Sequence, residues 1–302
     1  MTLATKRRVI AAKIETTAGI AEALTSTNAA FYAMDATLVT NRTFTKRKAQ
    51  GSLSNTVASP GTTPGTCTFS VDLMTLAPWA DILLPACGWV KSTGEVWKPS
   101  SLPTYYKTVT IGVNTAGKLK RLAGAMGKFD IELTAGQIGK VTFEFQGRYL
   151  AESDATQFTP QYTVGTESSG PQFAGATVTL ATVATGLRQL TINSGNAVSL
   201  IEDVTAAGGI ARAWLDDRDI GGTMDPYEQL VATRDDYDKM DSLAEQALAV
   251  AYGSMSISIP KLQILTLAAG ERNGLSARAV GFQANQDTIA GDDEIAIDLD
   301  TA

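Results

Sequence analysis

Apolar and polar residues alternate along several segments of this chain, which is the pattern of β-strands that bury one face. From Cys67 to Leu73 every second side chain is apolar. Residues 128–133 and 140–146 alternate in the same way on either side of a Gly-containing turn. Together they predict an antiparallel hairpin with one dry and one wet face. Residues 254–259 repeat the pattern in the second half of the chain.

Weaker signals predict further elements. Strands are predicted over residues 31–39, 42–48, 96–113, 176–184, 189–193 and 210–216. Residues 6–13 predict a short strand, or an arm that becomes ordered only against a neighbouring subunit. The Ser, Thr, Pro and Gly of residues 52–65 predict a loop. Apolar residues at helical spacing predict two short helices, over residues 78–87 and 243–251.

Two segments that lie 134 residues apart, Thr134–Gly147 and Ala268–Gly281, align without a gap. Each is a Gly-containing turn followed by a strand that ends in Gly, and each lies late in its half of the chain. A β unit present twice indicates a pseudo-symmetric building block, and such blocks form rings and tubes. The order of elements differs, because the clearly alternating strand precedes the helix in the first half and follows it in the second.

These patterns predict a mostly β fold of two tandem, related β-sandwich or barrel units, each with a short flanking helix. The first unit covers residues 1–150 and includes the N-terminal arm, and the second covers residues 173–302. Residues 151–172 are rich in Ser, Thr, Gly, Pro and Gln, and we interpret them as the linker between the units.

Composition narrows the class of function. The 302 residues are 44% hydrophobic and 19% charged, as in soluble globular proteins, and the apolar runs are too short to span a membrane. The chain has no histidine, which removes the commonest general base and metal ligand. Cys67 and Cys87 are too few for a zinc site and are expected as buried thiols, with a disulfide left open. We therefore expect no enzyme activity, no cofactor and no bound metal.

Charge is divided unevenly between the halves. Residues 1–150 carry 17 Lys and Arg against 9 Asp and Glu, a net charge of +8. Residues 151–302 carry 8 against 22, a net charge of −14. Opposite signs favour head-to-tail stacking between subunits, and an unevenly charged but solvated surface is the alternative.

Two acidic clusters, within residues 216–219 and 292–294, are candidates for chemistry. Their carboxylates resemble calcium ligands or the paired acids of a glycosidase. Arg218 interrupts the first cluster and the twelve-residue calcium-loop pattern is missing, so a solvated loop is favoured. A basic cluster is the counterpart, and either a subunit contact or a solvated strand edge is favoured for it over nucleic-acid binding. Its members are Arg42, Lys46, Arg47 and Lys48.

Several segments together resemble the major tail tube proteins of long-tailed bacteriophages. They are the N-terminal run from Lys6 to Gly19, the segments Gly65–Leu73 and Pro78–Gly88, and the hairpin from Gly136 to Gly147. The resemblance covers much of residues 1–150 and is loose beyond them. Its motifs are structural rather than catalytic.

The resemblance implies a structural virion protein. Tail tube proteins are β-sandwiches or barrels flanked by a helix, and their inner strands join across subunits into a ring barrel. Stacked rings form the tube through which double-stranded DNA is ejected from the capsid into the host. Six units per ring is the family norm, so a duplicated chain implies a pseudo-hexameric ring of three chains, with six chains as the alternative.

The implied partners are further copies of the chain, the terminator, tape measure and distal tail proteins, and passing DNA that is not specifically bound. No membrane partner is expected. The implied location is the virion tail, after synthesis in the cytoplasm of the host bacterium.

A wall past which DNA slides should carry acidic and small polar groups. The candidates for lining such a lumen are on the wet faces of the two hairpins: Asp130, Glu132, Glu144 and, through the repeat, Glu271. Two other virion roles, a distal-tail ring and a capsid decoration protein, share the β architecture and stay open. A carbohydrate-binding adhesin module needs exposed aromatic side chains, for which the candidates are Trp79, Trp89, Trp97 and Trp214, although core packing is favoured for them.

Overall fold

The structure is a computed structural model that describes residues 7–162 and 170–300, and it is mostly β with large antiparallel sheets. The strands of the first half are β1 (Arg8–Ile14), β2 (Met34–Thr40), β3 (Phe44–Lys48), β4 (Asn55–Pro60), β5 (Pro64–Asp72), β6 (Trp89–Lys91), β7 (Val96–Pro99), β8 (Val109–Thr115), β9 (Lys118–Thr134), β10 (Lys140–Tyr149) and β11 (Ser153–Asp154). Those of the second half are β12 (Thr177–Leu180), β13 (Val183–Ala184), β14 (Leu187–Asn193), β15 (Asn196–Glu202), β16 (Ile210–Arg218), β17 (Gly221–Pro226), β18 (Glu245–Tyr252), β19 (Met255–Arg272), β20 (Leu275–Asn285) and β21 (Ala296–Asp298). The helices are α1 (Ala80–Leu83) and α2 (Asp236–Asp241), with 3-10 turns at Ser26–Asn28, Pro85–Cys87, Pro103–Tyr105 and Ala207–Gly209.

Six strands in each half are hydrogen-bonded in the same order. In the first half the order is β1-β8-β9-β10-β5-β2, and every neighbouring pair is antiparallel. In the second half it is β12-β18-β19-β20-β17-β14, again antiparallel throughout. Numbered along the chain within its half, each series reads first, fourth, fifth, sixth, third, second.

The connections between these strands also correspond. A two-stranded hairpin is inserted between the second and third strands of each half, β3–β4 in the first and β15–β16 in the second. A short helix lies between the third and fourth strands, α1 in one half and α2 in the other. A very short strand follows the sixth and pairs with the start of the fifth, as β11 does with β9 and β21 with β19.

The halves are joined through a continuous sheet and a shared core. The end of β9 extends beyond β8, and its residues 130–134 pair with residues 189–193 of β14. The strand β21, near the C-terminus, pairs with β7 of the first half as well as with β19. One cluster of buried apolar side chains runs through both halves and contains Leu133, Leu190 and Ile297.

The alternation in the first half is confirmed by the packing. Phe69, Phe143 and Phe145 are almost fully buried and stack on one another, with ring centroids 5.6 to 6.0 Å apart. Cys67 and Cys87 are buried free thiols, as expected. Burial raises the pKa of the Cys67 thiol to about 12, so this thiol stays protonated and unreactive at neutral pH.

The helix predicted over residues 243–251 is wrong. The segment forms β18, in which alternate side chains are buried, while the helix α2 ends before it at Asp241. Leu248 and Val250 point into the core, and the alternating residues Ala247, Ala249 and Ala251 are exposed. Local propensity favours a helix in this Ala-rich stretch, but pairing with β12 on one edge and β19 on the other decides the conformation.

Other expectations need smaller corrections. The loop predicted over residues 52–65 contains β4, and the strand predicted over 96–113 is interrupted by the 3-10 turn at Pro103–Tyr105. Of the two alternatives for residues 6–13, the structure has the short strand, since residues 8–14 form β1 and pair with β8 of the same chain. Residues 1–6 lie outside the described residues.

Parts of the predicted linker pack against the body of the protein. Phe158 is buried beside Ala11 and Leu119, and Phe173 is buried in the main core. Residues 163–169 lie outside the described residues. The predicted linker therefore contributes Phe158 to a buried cluster, and Phe173 belongs to the segment that follows the linker.

The sequence repeat identifies corresponding hairpins but in the wrong register. The gap-free alignment places Phe145, which faces the core, on Ala279, whose neighbour Val280 is the core residue. The turn also moves, because β19 continues to Arg272 and turns through Asn273 and Gly274. A shift by one residue exchanges the two faces of a strand, which is why the pattern of inward side chains differs between the aligned segments.

Candidate functional site: a polar sheet face and two open strand edges

One face of the large sheet is polar and continuous across both halves. Residues directly opposite each other on neighbouring strands share a face. Glu132 of β9 lies opposite Thr191 of β14, which lies opposite Thr223 of β17. Thr223 in turn lies opposite Gly281 of β20, and Gly281 opposite Thr266 of β19. In the first half, Glu144 of β10 lies opposite Lys128 of β9 and Thr68 of β5, and Thr68 lies opposite Thr37 of β2. The face is therefore built on the second, third, sixth and fifth strands of each half.

Hydrogen bonds between neighbouring side chains satisfy much of this face. The Gln189 amide donates to Glu132 at 3.1 Å across the junction between the halves. Hydroxyl groups pair at 2.6 Å between Thr191 and Thr223, and at 3.1 Å between Ser70 and Thr142. Such a surface of short hydroxyl and amide side chains presents few unpaired donors to a passing molecule.

The charged residues of the face in the first half are mostly acidic. They are Asp72, Asp130, Glu132 and Glu144 against Lys128 and Lys140, and adjacent strands bring them together. The Lys128 ammonium lies 3.3 Å from the Glu144 carboxylate. Burial raises the pKa of the Asp130 carboxyl; Lys128 partly opposes this and Glu144 adds to it. Because phosphates are repelled by carboxylates, an acidic excess disfavours adhesion of nucleic acid.

Three of the four residues expected to line a lumen share this face. Asp130 and Glu132 lie two residues apart on β9, and Glu144 lies opposite Lys128 on β10, all with the same orientation. Glu271 does not join them. It follows Gly270 by one residue on β19, and Gly270 has the orientation of Thr266, so the Glu271 side chain points to the other side of the sheet.

Two of the unpaired strand edges in the described residues occupy corresponding positions in the two halves. Within the described residues, β2 pairs only with β5, on one of its edges. Residues 268–272 of β19 pair only with β20, again on one edge. The corresponding edges of the other half, on β14 and at the end of β9, are paired with each other. The chain thus contains one completed junction, in which the edges of β9 and β14 are paired. The unpaired edges of β2 and β19 are the two partners that a second junction of this kind would need.

Backbone amides on the unpaired edge of β2 point away from the sheet, as those of β14 point toward β9 in the completed junction. The Asn41 amide donates to the Pro64 carbonyl at 2.9 Å, toward β5. Because alternate residues of an antiparallel strand point their amides to the same side, those of Leu38 and Thr40 point away from β5. In the completed junction, the Ser194 amide, which follows β14, donates to the Phe129 carbonyl of β9 at 2.9 Å.

The basic cluster lies on an unpacked hairpin, and the acidic cluster lies on a packed one. Lys46, Arg47 and Lys48 are exposed on β3, and the Arg42 guanidinium lies 5.6 Å from the ring centre of Phe44. The first acidic cluster is on β16 and just beyond it, where residues 216, 217 and 219 are exposed.

The carboxylates near the C-terminus form ion pairs and hydrogen bonds with two other segments of the chain. The Arg218 guanidinium lies 3.1 Å from Asp292 and 2.8 Å from Glu294, while Asp292 also accepts from the Ser101 amide at 2.8 Å. Burial opposes ionisation of Asp292, but the hydrogen bonds from Ser101 and the charge of Arg218 outweigh it and hold the pKa of this carboxyl below its ordinary value. These contacts connect β16, the segment after β7 and the C-terminal segment.

The tryptophans do not form an exposed aromatic platform. Trp79, Trp89 and Trp97 are at most 3% exposed. Trp214 is partly exposed and packs edge-on against Tyr106, with the Arg212 guanidinium 4.9 Å from its ring centre.

Over residues 7–162 and 170–300, no group of three or more metal-binding side chains has a suitable arrangement. Nor do these residues contain a helix with the length and apolarity needed to cross a bilayer. No protein-family model matches the chain, and no curated protein matches it significantly. The two unpaired edges and the polar face are the features of the structure that bear on its function.

Proposed function

We propose that this chain is a structural protein of the phage tail tube type, in which rings of identical chains stack into a tube for DNA ejection. In this proposal the chain is a tandem of two related units. The identical order of six strands, the hairpins inserted at the same point and the helices in the same connection support that relationship. Its location would be the virion tail, with terminator, tape measure and distal tail proteins as further partners.

The observation that carries the proposal is the junction between β9 and β14. It joins the fifth strand of one unit to the second strand of the next. Repeating it between chains brings the open edge of β2 against residues 268–272 of β19 in another copy. This contact is head-to-tail, so it closes into a ring when the rotation permits. It also removes both exposed edges, which otherwise promote unspecific aggregation.

The number of strands fits a ring of three chains. Each unit contributes four strands to the polar face, so three chains would supply about 24 strands. At a spacing of ~4.8 Å and a tilt of ~40°, such a barrel has a backbone diameter of roughly 40–50 Å. That leaves room for a DNA duplex after side chains are added. Six complete chains would give a barrel about twice as wide.

The polar face supplies a wall of suitable chemistry when it faces the lumen. Threonine, serine and glutamine side chains paired with one another offer little adhesion, and the acidic excess around Glu132 and Glu144 repels phosphate. DNA passage needs no base recognition, and the proposal needs no catalytic group.

The alternative virion roles share the β architecture but form caps or surface plugs rather than long tubes. A capsid decoration protein or a distal-tail ring has no specific observation in its favour here. The carbohydrate-binding alternative requires exposed rings, whereas three of the four tryptophans are buried. We therefore retain the tube as the proposal.

Negative-stain electron microscopy of the purified protein over a concentration series tests the proposal. We expect hollow rings or tubes, and the rotational average of the rings should show three chains and six repeating units. Six complete chains in the inner ring would refute the three-chain arrangement. A monomer that stays monodisperse at every concentration, even with a tail-initiating complex present, would refute the tube function itself.

A further inference from the structure

The hairpin β3–β4 has no packing partner within the described residues. Every residue of β3 is exposed, Leu53 is 95% exposed and Val57 is 90% exposed. Residues 41–63 contain four basic residues and no acidic one. A two-stranded hairpin without a packed face is marginally stable in water, so docking on another surface would stabilise this hairpin.

The corresponding hairpin of the second half shows how such docking works. β15–β16 lies across the first half, where Met126 is fully buried against Ala213 and Leu215. The side-chain amide of Asn196 donates to the carbonyls of Cys87 and Gly127, at 2.8 and 3.0 Å. The acidic second half thus places its hairpin on the basic first half.

The turn of β15–β16 contacts the residues at which the β3–β4 insertion rejoins the sheet. Gly208, at the tip of β15–β16, accepts from the Thr63 amide at 3.1 Å. Thr63 is the last residue before β5, where the first inserted hairpin ends. The matching place in the second half is just before β17, at Asp219 and Ile220.

We propose that the basic tip of β3–β4 binds the acidic base of β15–β16 in a second copy of this chain, pairing Lys46, Arg47 and Lys48 with Asp216, Asp217 and Asp219. The inference rests on the proposed ring, because pairing of β2 with β19 carries the hairpin over the second half of the neighbour. The two insertions have similar lengths, with 23 residues between β2 and β5 and 27 between β14 and β17.

Charge and exposure favour a second copy of this chain as the partner of the β3–β4 hairpin. The tip is flanked by three consecutive cations, and the three aspartates of the base are all exposed although their hairpin is docked. The face of the second half beside them is also bare, since Leu265 is 53% exposed whereas Met126 of the first half is buried. A second copy therefore finds there an uncovered surface and an opposite charge.

A cross-linking experiment with mixed variants tests the contact directly. Lys48→Cys chains are mixed with Asp217→Cys chains, assembled and oxidised, and the native thiols do not interfere because both are buried. We expect a disulfide-linked dimer in the mixture and none from either variant alone. The matched control pairs Lys48→Cys with Asp154→Cys, an exposed aspartate of the first half, and should give no dimer. Rings without cross-linking in the first mixture, or equal cross-linking in the control, would overturn the proposal.

A charge exchange in the full chain gives an independent readout. Reversing the three cations to Glu should raise the concentration needed for ring assembly about tenfold, from three weak ion pairs. Reversing the three aspartates to Lys in the same chain should restore it to within about threefold. If the first variant assembles at an unchanged concentration, the hairpin contact is refuted but the proposed ring is not. The same holds if that variant loses DNA binding without losing assembly. Absence of rings in the unmodified protein refutes the proposed function, and this inference falls with it.

Discussion

Blocking one outward amide of β2 should prevent ring closure without unfolding the chain. The substitution is Thr40→Pro. The Thr40 amide points away from β5, and its side chain is exposed. Proline is tolerated on an edge strand when the missing N–H faces solvent, so the isolated chain should lose at most about 1 kcal/mol of stability. In a paired edge, the same proline removes a hydrogen bond and places its ring against the partner strand.

The expected magnitude follows from those two effects. A lost interchain hydrogen bond costs about 1 kcal/mol, and a proline ring forced into a hydrogen-bonded ladder costs up to about 3 kcal/mol. Each junction should therefore weaken by ~2–4 kcal/mol, which is roughly 30- to 1,000-fold in the association constant. The completed junction supports the use of this position, because the Ser194 amide donates to β9 in the equivalent geometry.

Sedimentation velocity over a concentration series measures the assembled fraction, and denaturant unfolding of the unassembled chain measures its stability. Thr40→Val is the matched control, since it keeps the amide and should assemble within about threefold of the unmodified protein. Val39→Pro is the opposite control, because its amide points toward β5 and its loss should destabilise the chain itself. The reasoning is refuted if Thr40→Pro is as stable as the control and assembles at the same concentration.

Three further predictions concern the wall, the core and pH. Glu132→Lys combined with Glu144→Lys should impair DNA delivery more than assembly, and normal infectivity of the double variant would count against this lining. Glu15 is buried and accepts from two backbone amides and two threonine hydroxyls at 2.6 to 2.8 Å. Glu15→Gln should lower the free energy of unfolding by ~2–4 kcal/mol, and a loss below about 1 kcal/mol in denaturant titration would contradict that role. The pKa of Asp292 is lower in the folded chain than its unfolded value of about 4, so its ionised form stabilises the fold at higher pH. This stability is lost as the pH falls through the folded pKa. Acid unfolding of Asp292→Asn should show less pH dependence below pH ~4 than that of the unmodified protein.

The elements that sequence predicts well are those set by neighbouring residues. The hairpin of β9 and β10 forms with the expected inward side chains Val141, Phe143 and Phe145, because a short turn fixes its register. The first helix lies within its predicted segment, shortened to α1 and a 3-10 turn around Pro85. In both cases the pattern and the structure depend on the same few residues.

Elements that depend on distant partners were not predictable in this way. β18 looks helical in isolation and becomes a strand through β12 and β19. The identical strand order of the two halves also escapes the sequence, because corresponding strands share geometry rather than residues. The open edges of β2 and β19 appear only once the pairing of every other strand is known. Three acidic wall candidates follow from alternation, whereas Glu271 was inferred through a repeat in the wrong register.

A tandem chain reduces the number of associations that a six-unit ring requires. In the proposed three-chain ring, three of the six junctions would be made within the chains, as between β9 and β14, so only three would need to form between molecules. Each intermolecular association costs several kcal/mol in lost translational and rotational freedom, which the covalent junctions avoid. Fusion also lets the two hairpins diverge. The one docked within the chain, β15–β16, can use apolar contacts such as Met126 with Leu215. If β3–β4 docks only on assembly, as proposed, it must stay soluble until then. Its basic charge meets that requirement, whereas an apolar surface would aggregate. Under this proposal, the opposite net charges of the halves reflect one covalent and one reversible version of the same interface.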